Sequence, residues 1–275
     1  MTFSERFRVK PDISLRFSDL DPNEKDKFID SEDARAETET YAHRMEELQY
    51  RLFAERKRGL LICLQAMDAG GKDGVIRHVL GYMNPQGCRV VRFAAPSEEE
   101  NRHDFLWRIH RVISRKGEVV IFNRSHYEDV LVPRVHESLP ESVLSSRIDA
   151  INAFEDYLTN NDVHILKFFL HISKEEQLSR FKKRIDDPNR WWKISEADYN
   201  ERQYWHTYEK AYEEILYRCN SERTPWFVIP ANHKWYRNLV VSRIVVEYME
   251  SMDIKFPEPT VDIEHIKHRY HHAKN

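Results

Sequence analysis

Residues Leu60 to Gly74 read LLICLQAMDAGGKDG. The short apolar run Leu60, Leu61, Ile62, Cys63, Leu64 is bounded by breakers and predicts a buried strand. It feeds a turn holding Gly70, Gly71 and Gly74, three of the seven glycines in the chain. Lys72 sits inside that turn, and Val75 to Met83 continues at helical spacing. Strand, glycine turn, lysine and helix together make an anion-binding device. Glycines let backbone N–H groups point at phosphate oxygens, the helix N-terminus adds positive potential, and Lys72 supplies a full charge. The frame Ala66, Met67, Asp68, Ala69, Gly70, Gly71, Lys72, Asp73 departs from G-x-x-x-x-G-K-[ST] at both ends, with Ala for the first Gly and Asp for the Ser/Thr. The hydroxyl that ordinarily touches Mg²⁺ is missing, while Asp68 brings a carboxylate into the loop. A carboxylate repels phosphate unless a divalent ion stands between them. Phosphate plus Mg²⁺, with Asp68 on the metal, is therefore the expectation.

Upstream, Ser31 to Arg58 reads as one long helix with an apolar stripe (Tyr41, Met45, Leu48, Leu52, Phe53), ended by Gly59. Residues 1 to about 30 form an arm, with Phe7, Ile13, Leu15 and Phe17 available to dock. Downstream, Arg89 to Ala94 predicts a second strand. Ser97 with Glu100 is a capping-box pattern that opens a helix toward Arg115. Along it His103, Arg108 and Arg111 line either an anion channel or a solvated face. Glu118 to Asn123 is a third strand, and ligands of open parallel sheets bind where such strands end. A metal-holding carboxylate often stands there; this chain has Asn123 instead. Arg124 can reach phosphate, and Glu128 and Asp129 restore negative charge. We assign Asn123, Glu128 and Asp129 to the nucleotide side of the site.

Pro140 to Asn161 is an amphipathic helix and Val163 to Ile172 a fourth strand. Between Gln177 and Lys193 lie Arg180, Lys182, Lys183, Arg184, Arg190 and Lys193 against only Asp186 and Asp187, with Pro188 and Asn189 breaking the helix. A basic, broken hairpin over about 174–200 predicts a mobile lid that carries charge over phosphates, the alternative being an exposed charged helix. Trp191 and Trp192 either stack a base or, as we expect, anchor the lid. A long helix (Ser195 to Asn220), a fifth strand (Pro225 to Ile229) and a closing helix (Trp235 to Met252) follow. The tail at His265 to His272 reads as a solvated end rather than a metal site. Alternating strands and helices predict a three-layer α/β/α fold with about five parallel strands. Residues 1–58 are the arm and N-terminal helix, 59–255 the P-loop kinase-like domain with its lid, and 256–275 the tail.

Composition bounds the function. A hydrophobic content of 41% with 32% charged residues describes a globular chain of 275 residues. A net charge of −3 argues against nucleic acid as the main partner. Three cysteines without C-x-x-C spacing suggest neither disulfides nor a zinc site, and fit a reducing compartment. No apolar signal core or membrane-length run is present, so the cytoplasm is the default and no membrane partner is expected.

LQAMDAGGKDG, FLWRIH, VVIFNRSHYEDVLVPRVH, KKRIDDPNRWWK and PWFVIPANHKWYRNL together resemble the second family of polyphosphate kinases, from about Arg8 to Phe256. Asn-Arg-Ser-His-Tyr-Glu-Asp after the third strand is similar to the class III members, where classes I and II tend to carry Asp-Arg-Ser-Trp-Tyr. The resemblance implies transfer from inorganic polyphosphate to AMP and ADP, giving ADP and ATP. It further implies catalytic roles for Asp68 and Lys72, phosphate handling by Arg124, Lys183 and Arg184, and a homo-oligomer (dimer or tetramer). Ala69, Gly70, Gly71, Lys72 and Asp73 then form the phosphate loop. Arg134 and the Arg108/Arg111 face are candidates for a polyphosphate track. Two rivals are an ATP-dependent kinase, which the missing Ser/Thr after Lys72 disfavours, and a non-catalytic sensor. Asn123 favours the sensor; Asp68, Glu128 and Asp129 favour catalysis.

Overall fold

A computed structural model describes residues 1–273, so the last two residues of the expected tail lie outside the described ones. In chain order the elements are α1 (Phe3–Phe7), α2 (Ser31–Glu55), β1 (Gly59–Ala66), α3 (Lys72–His78), β2 (Cys88–Arg92), α4 (Trp107–His110), β3 (Val119–Asn123) and α5 (Glu128–Val135). There follow α6 (Glu141–Asn160), β4 (Val163–His171), α7 (Lys174–Ile185), α8 (Glu196–Glu201), α9 (Trp205–Arg218), β5 (Trp226–Pro230), α10 (Lys234–Ser251) and α11 (Ile263–His272).

The five strands form one parallel sheet in the order β2-β3-β1-β4-β5. β1 lies at its centre and is buried at every position, which is why its sequence is an unbroken apolar run rather than an alternation. Its side chains still alternate between faces. Leu60, Ile62 and Leu64 join a large cluster with Met45 and Leu52 of α2 and Val240 and Val245 of α10. Leu61 and Cys63 join a smaller cluster with Val120, Phe122, Ile165, Ile109 and Leu158. Helices therefore cover both faces, and the expected three-layer α/β/α arrangement is the observed one. From β1 the chain steps outward to β2, returns through β3, and then continues on the other side of β1. That reversal opens a crevice at the carboxyl end of β1, where the glycine loop lies.

α2 starts where the Asp30 carboxylate accepts the N–H groups of Glu32 (2.7 Å) and Asp33 (3.0 Å). It ends at Arg56, which adopts the left-handed conformation (φ 52°), rather than at the expected Gly59. Gly59 already belongs to β1, where a Cβ would meet Ser114 Oγ at 2.7 Å. The arm docks through Phe7 and Phe17, both buried, whereas Ile13 stays exposed. Val9 N–H donates to Trp226 O (2.8 Å) and Arg8 pairs antiparallel with Phe227, so the arm protects the β5 edge.

Two expected helices are shorter than read. The Ser97 capping box forms, with Ser97 N to Glu100 Oε2 at 2.8 Å and Glu100 N to Ser97 Oγ at 3.2 Å, yet it supports a single 3₁₀ turn. Asp104 then accepts the N–H of Leu106 (3.0 Å), a local turn that competes with helix and leaves only α4 beyond it. Likewise the stretch from Ser195 divides into α8, a 3₁₀ turn at Arg202–Tyr204, and α9. The His-rich tail is the exposed helix α11.

Candidate active site

Met67 to Gly71 turns β1 into α3. Ala69 (φ 58°) and Gly71 (φ 109°) both take positive φ, and a side chain at Gly71 would in addition collide with Arg237 Nη1. Lys72 opens α3 and bends back so that Nζ donates to Ala66 O at 2.9 Å. Burial, then the charge of Arg124, lowers its pKa, against the pull of Asp68, Glu128 and Asp73.

The end of β3 supplies the facing half. Asn123 Nδ2 donates to Asp73 Oδ1 (2.9 Å). Arg124 is held at φ 63°, costly for a residue with a side chain. Its Nη2 meets Asp68 Oδ1 at 2.9 Å and its Nη1 stands 3.8 Å from Glu128. Burial raises the pKa of Glu128, while Arg124 and Lys72 oppose that rise. Asp68, Lys72, Asp73, Asn123, Arg124 and Glu128 thus share one polar crevice with the loop backbone of Ala69, Gly70 and Gly71.

A buried network stands behind Arg124. His126 Nε2 and Tyr127 OH bond Glu155 Oε1 at 3.1 and 2.6 Å. Lys167 Nζ donates to Glu155 Oε2 (2.6 Å), Cys219 O (2.7 Å) and Tyr127 OH (3.1 Å). Burial works against the Glu155 carboxylate, but Lys167 and His126 more than offset it and hold its pKa at about 2. The network fixes the segment that presents Arg124 and Glu128. α7 is tied to the loop as well: Gln177 Nε2 donates to Asp68 O (2.9 Å), and Arg180 Nη1 to Ala69 O (2.8 Å) and Gly70 O (3.0 Å).

Other expected residues are not brought to this crevice. Asp129 is buried and accepts Arg108 Nη2 at 2.9 Å. Neighbouring residues on α5 point about 100° apart, so its opening residue Glu128 and Asp129 diverge. Arg134, on the last turn of α5, forks onto Glu141 (2.9 Å) and Glu214 (3.0 Å). Arg108 is buried, whereas Arg111 is exposed and lies over the Trp107 ring. Within the lid, Arg184 donates to Lys193 O (2.8 Å), and Lys183 is exposed without an ion pair among the described residues. Trp191 and Trp192 are 59% and 76% exposed, bonded through their indole N–H to Ile185 O and Asn189 O. Their rings do not anchor the lid in the core, contrary to expectation.

Gln177, Tyr212 and Arg237 border the loop without having been singled out. Tyr212 OH lies 3.3 Å from Gln65 Oε1, and Arg237 is 2% exposed on α10. A lone arginine beside the apolar run Leu239, Val240, Val241 was the available signal for the last. No three His, Cys, Asp or Glu side chains gather as a metal cage among the described residues. No helix among them is long and apolar enough to cross a membrane.

A lysine-bearing glycine loop at the reversal point of a parallel sheet defines a P-loop kinase-type phosphotransferase. Within that class the sequence is more specific. Residues 28–257 match the model of the family described as Polyphosphate kinase 2 (PPK2), and the chain belongs to that family. It is 45% identical, over 95% of its length and 98% of the relative's, to an AMP/ADP-polyphosphate phosphotransferase of Meiothermus ruber. It is 44% identical, over 87% of both chains, to an ADP-polyphosphate phosphotransferase of Rhodopseudomonas palustris. The crystal structure of polyphosphate kinase 2 from Arthrobacter aurescens TC1 superposes with a TM-score of 0.94 at 38% identity, covering 100% of this chain and 98% of that one. The chain is accordingly a polyphosphate kinase by family, with the P-loop kinase fold expected from its sequence.

Proposed function

We propose that this enzyme transfers the terminal phosphoryl group of inorganic polyphosphate to AMP and ADP, reversibly, giving ADP and ATP. The convergence of Asp68, Lys72 and Arg124 on the glycine loop carries the reading, and the acceptors named for the Meiothermus ruber relative support it. Donor and acceptor are both phosphate anions, so no hydroxyl proton has to be removed. Two polyanions must instead meet in line while their oxygens stay apart, and positioning with electrostatic stabilisation supplies the catalysis. Lys72 and the N–H groups of Gly71 and Asp73 hold the transferred phosphoryl, while the Gly70 N–H closes the loop onto Met67 O at 2.9 Å. Arg124 stabilises charge on the facing side, and Asn123 and Glu128 stand toward the nucleotide. Lys183 and Arg184 come over the reactants on the lid, about 174–200, whose first two turns stay bonded to the loop.

The donor set suits magnesium. Asp68 gives Oδ1 to Arg124, and Oδ2 has no protein partner among the described residues. One carboxylate with substrate phosphates and water is the usual protein share of a Mg²⁺ site. Held by Asp68, a Mg²⁺ ion would supply charge neutralisation for the reacting phosphates. The unit that folds around the site is 59–255, with 1–58 packed on it; a cytoplasmic dimer or tetramer is the assembly we propose.

Purified protein with Mg²⁺, long-chain polyphosphate and AMP, and no other nucleotide, should yield ADP and then ATP. Both products should vanish in Asp68→Asn. No product from AMP, and none from ADP in its place, overturns the reading in favour of an ATP-dependent kinase or a silent sensor.

A further inference from the structure

Cations outnumber carboxylates around the first turn of α3, and the excess is concentrated on the side of α7 and α10. Arg237 is 2% exposed, yet among the described residues its Nε and Nη2 donate only to Asn238 Oδ1, at 3.1 and 2.7 Å. Its Nη1 lies against Gly71, and a Cβ built at Gly74 would fall 2.8 Å from Nη2. The guanidinium is therefore packed closely against Gly71 of the phosphate loop and Gly74 of α3. Arg180 reaches the same turn from α7, 6% exposed, with Glu176 (2.8 Å) as its carboxylate. Arg180, Arg237, Lys183 and Arg190 are all close enough to Lys234 to depress its pKa, after burial. Burial, then Arg180, brings the pKa of Arg237 down to about 9, so it remains a cation at neutral pH. Among the described residues none of Lys183, Lys234 and Arg237 has an ion pair. A buried charge without a counter-charge is destabilising. The fold keeps Arg237 in that state and uses Asn238 to aim it.

We propose that Arg237 is the donor-side phosphate-binding residue, holding the polyphosphate chain next to the transferred phosphoryl group, with Lys234 and Lys183 guiding the chain toward it. This rests on the polyphosphate reading above and names the part of the site that takes the donor. An AMP phosphate brings at most about two negative charges, whereas polyphosphate brings about one for every residue along a thin chain without a base. Four cations (Arg180, Lys183, Lys234, Arg237) facing Glu176 match the second ligand. The crevice at β3 has the opposite character, since Arg124 is there balanced by Asp68 and Glu128. Arg134, considered from sequence for the polyphosphate track, already has two carboxylates.

The test pairs Arg237→Met and Arg237→Lys with the wild type. Calorimetric titration with tripolyphosphate and Mg²⁺, without nucleotide, should show affinity falling about tenfold or more in Arg237→Met and by less in Arg237→Lys. In turnover, KM for polyphosphate should rise by a similar factor while KM for AMP stays within about twofold. Thermal stability of unliganded Arg237→Met should equal or exceed that of wild type, a result that a merely structural arginine would not give. Unchanged tripolyphosphate affinity in both variants overturns the assignment, as does a KM for AMP that rises in step with that for polyphosphate. Should Arg237→Met fail to fold, Arg237→Lys alone decides between the same outcomes. Wild-type protein that binds tripolyphosphate through Arg237 but forms no product from AMP or ADP would sink the transfer reaction and leave this site standing.

Discussion

Two sets of charge border the phosphate loop, one wholly buried and the other reaching from buried Arg180 and Arg237 to exposed Lys183 and Lys234, and they are built on opposite plans. Behind the end of β3, Glu155 is met by Lys167, His126 and Tyr127, and Lys167 has further acceptors in Cys219 O and Thr224. His126 Nδ1 is the atom of that set left without a partner among the described residues. Beside α3, Arg180, Arg237, Lys234 and Lys183 have Glu176 among them as an ion-pair partner. A closed set of charges needs nothing from outside and fixes a backbone segment. An open set is stable only because the fold imposes it, and it is completed by an anion that arrives. Under the donor-side proposal, the contrast separates the residues that shape the site from those that wait for substrate.

Breaking the closed set should have the largest effect. Glu155→Gln leaves Lys167 buried with no counter-charge, and about 3–5 kcal/mol of stability should be lost in a denaturant titration. Joint replacement of Glu155 and Lys167 by Met should recover most of that loss, because an apolar pair needs no counter-charge. The pH dependence has a definite sign. The Glu155 pKa falls from the ordinary 4.5 to about 2 on folding, so its contribution is complete above the ordinary value and is lost as pH drops from 4.5 toward 2. Wild type should lose stability across that window and the double Met variant should lose less. A Glu155→Gln protein as stable as wild type would mean that the network does not hold the Arg124 segment.

Lys72 should show a comparable loss in rate with little change in stability. Lys72→Ala should lower turnover by about 10²–10³-fold, on the order of 3–4 kcal/mol of transition-state stabilisation. Near-normal turnover would remove Lys72 from the machinery. The pH profile sharpens this further. The Lys72 pKa is lowered, so rate should fall on the alkaline side sooner than for an ordinary lysine. The Glu128 pKa is raised, so the acid limb should begin above the ordinary carboxylate range and shift in Glu128→Gln.

Local features were legible from sequence wherever the chain alone decides them. β1 is an apolar run because both of its faces are covered, and the glycine loop follows it directly, so strand, turn and Lys72 could be read together. The capping box at Ser97 was also visible, but a cap specifies where a helix starts and not how far it runs, and Asp104 ended this one. Phase was harder. Glu128 and Asp129 are neighbours in sequence, and only the point at which α5 begins decides which of them faces the loop. Arg237 was least legible: it reaches Gly71 because α10 packs beside α3, a contact between distant parts of the chain. Whether a cation is paired is a fact of packing, so Arg134 and Arg237 looked alike until their surroundings were known.

Arg134 gives the smallest expected effect and the cleanest check on the contrast. Its side chain is 21% exposed, and it pairs with Glu141, which is 68% exposed, and with Glu214 at 25%. Such partly solvated pairs contribute modestly, so Arg134→Ala should cost about 0–1 kcal/mol of stability by thermal melting. KM for polyphosphate should not change, because two carboxylates already neutralise the guanidinium. A KM that rose as in Arg237→Met would put Arg134 on the donor track after all. It would also mean that polyphosphate can displace carboxylates from a paired arginine, and unpaired charge would then cease to distinguish the substrate-binding residues of this site from the structural ones.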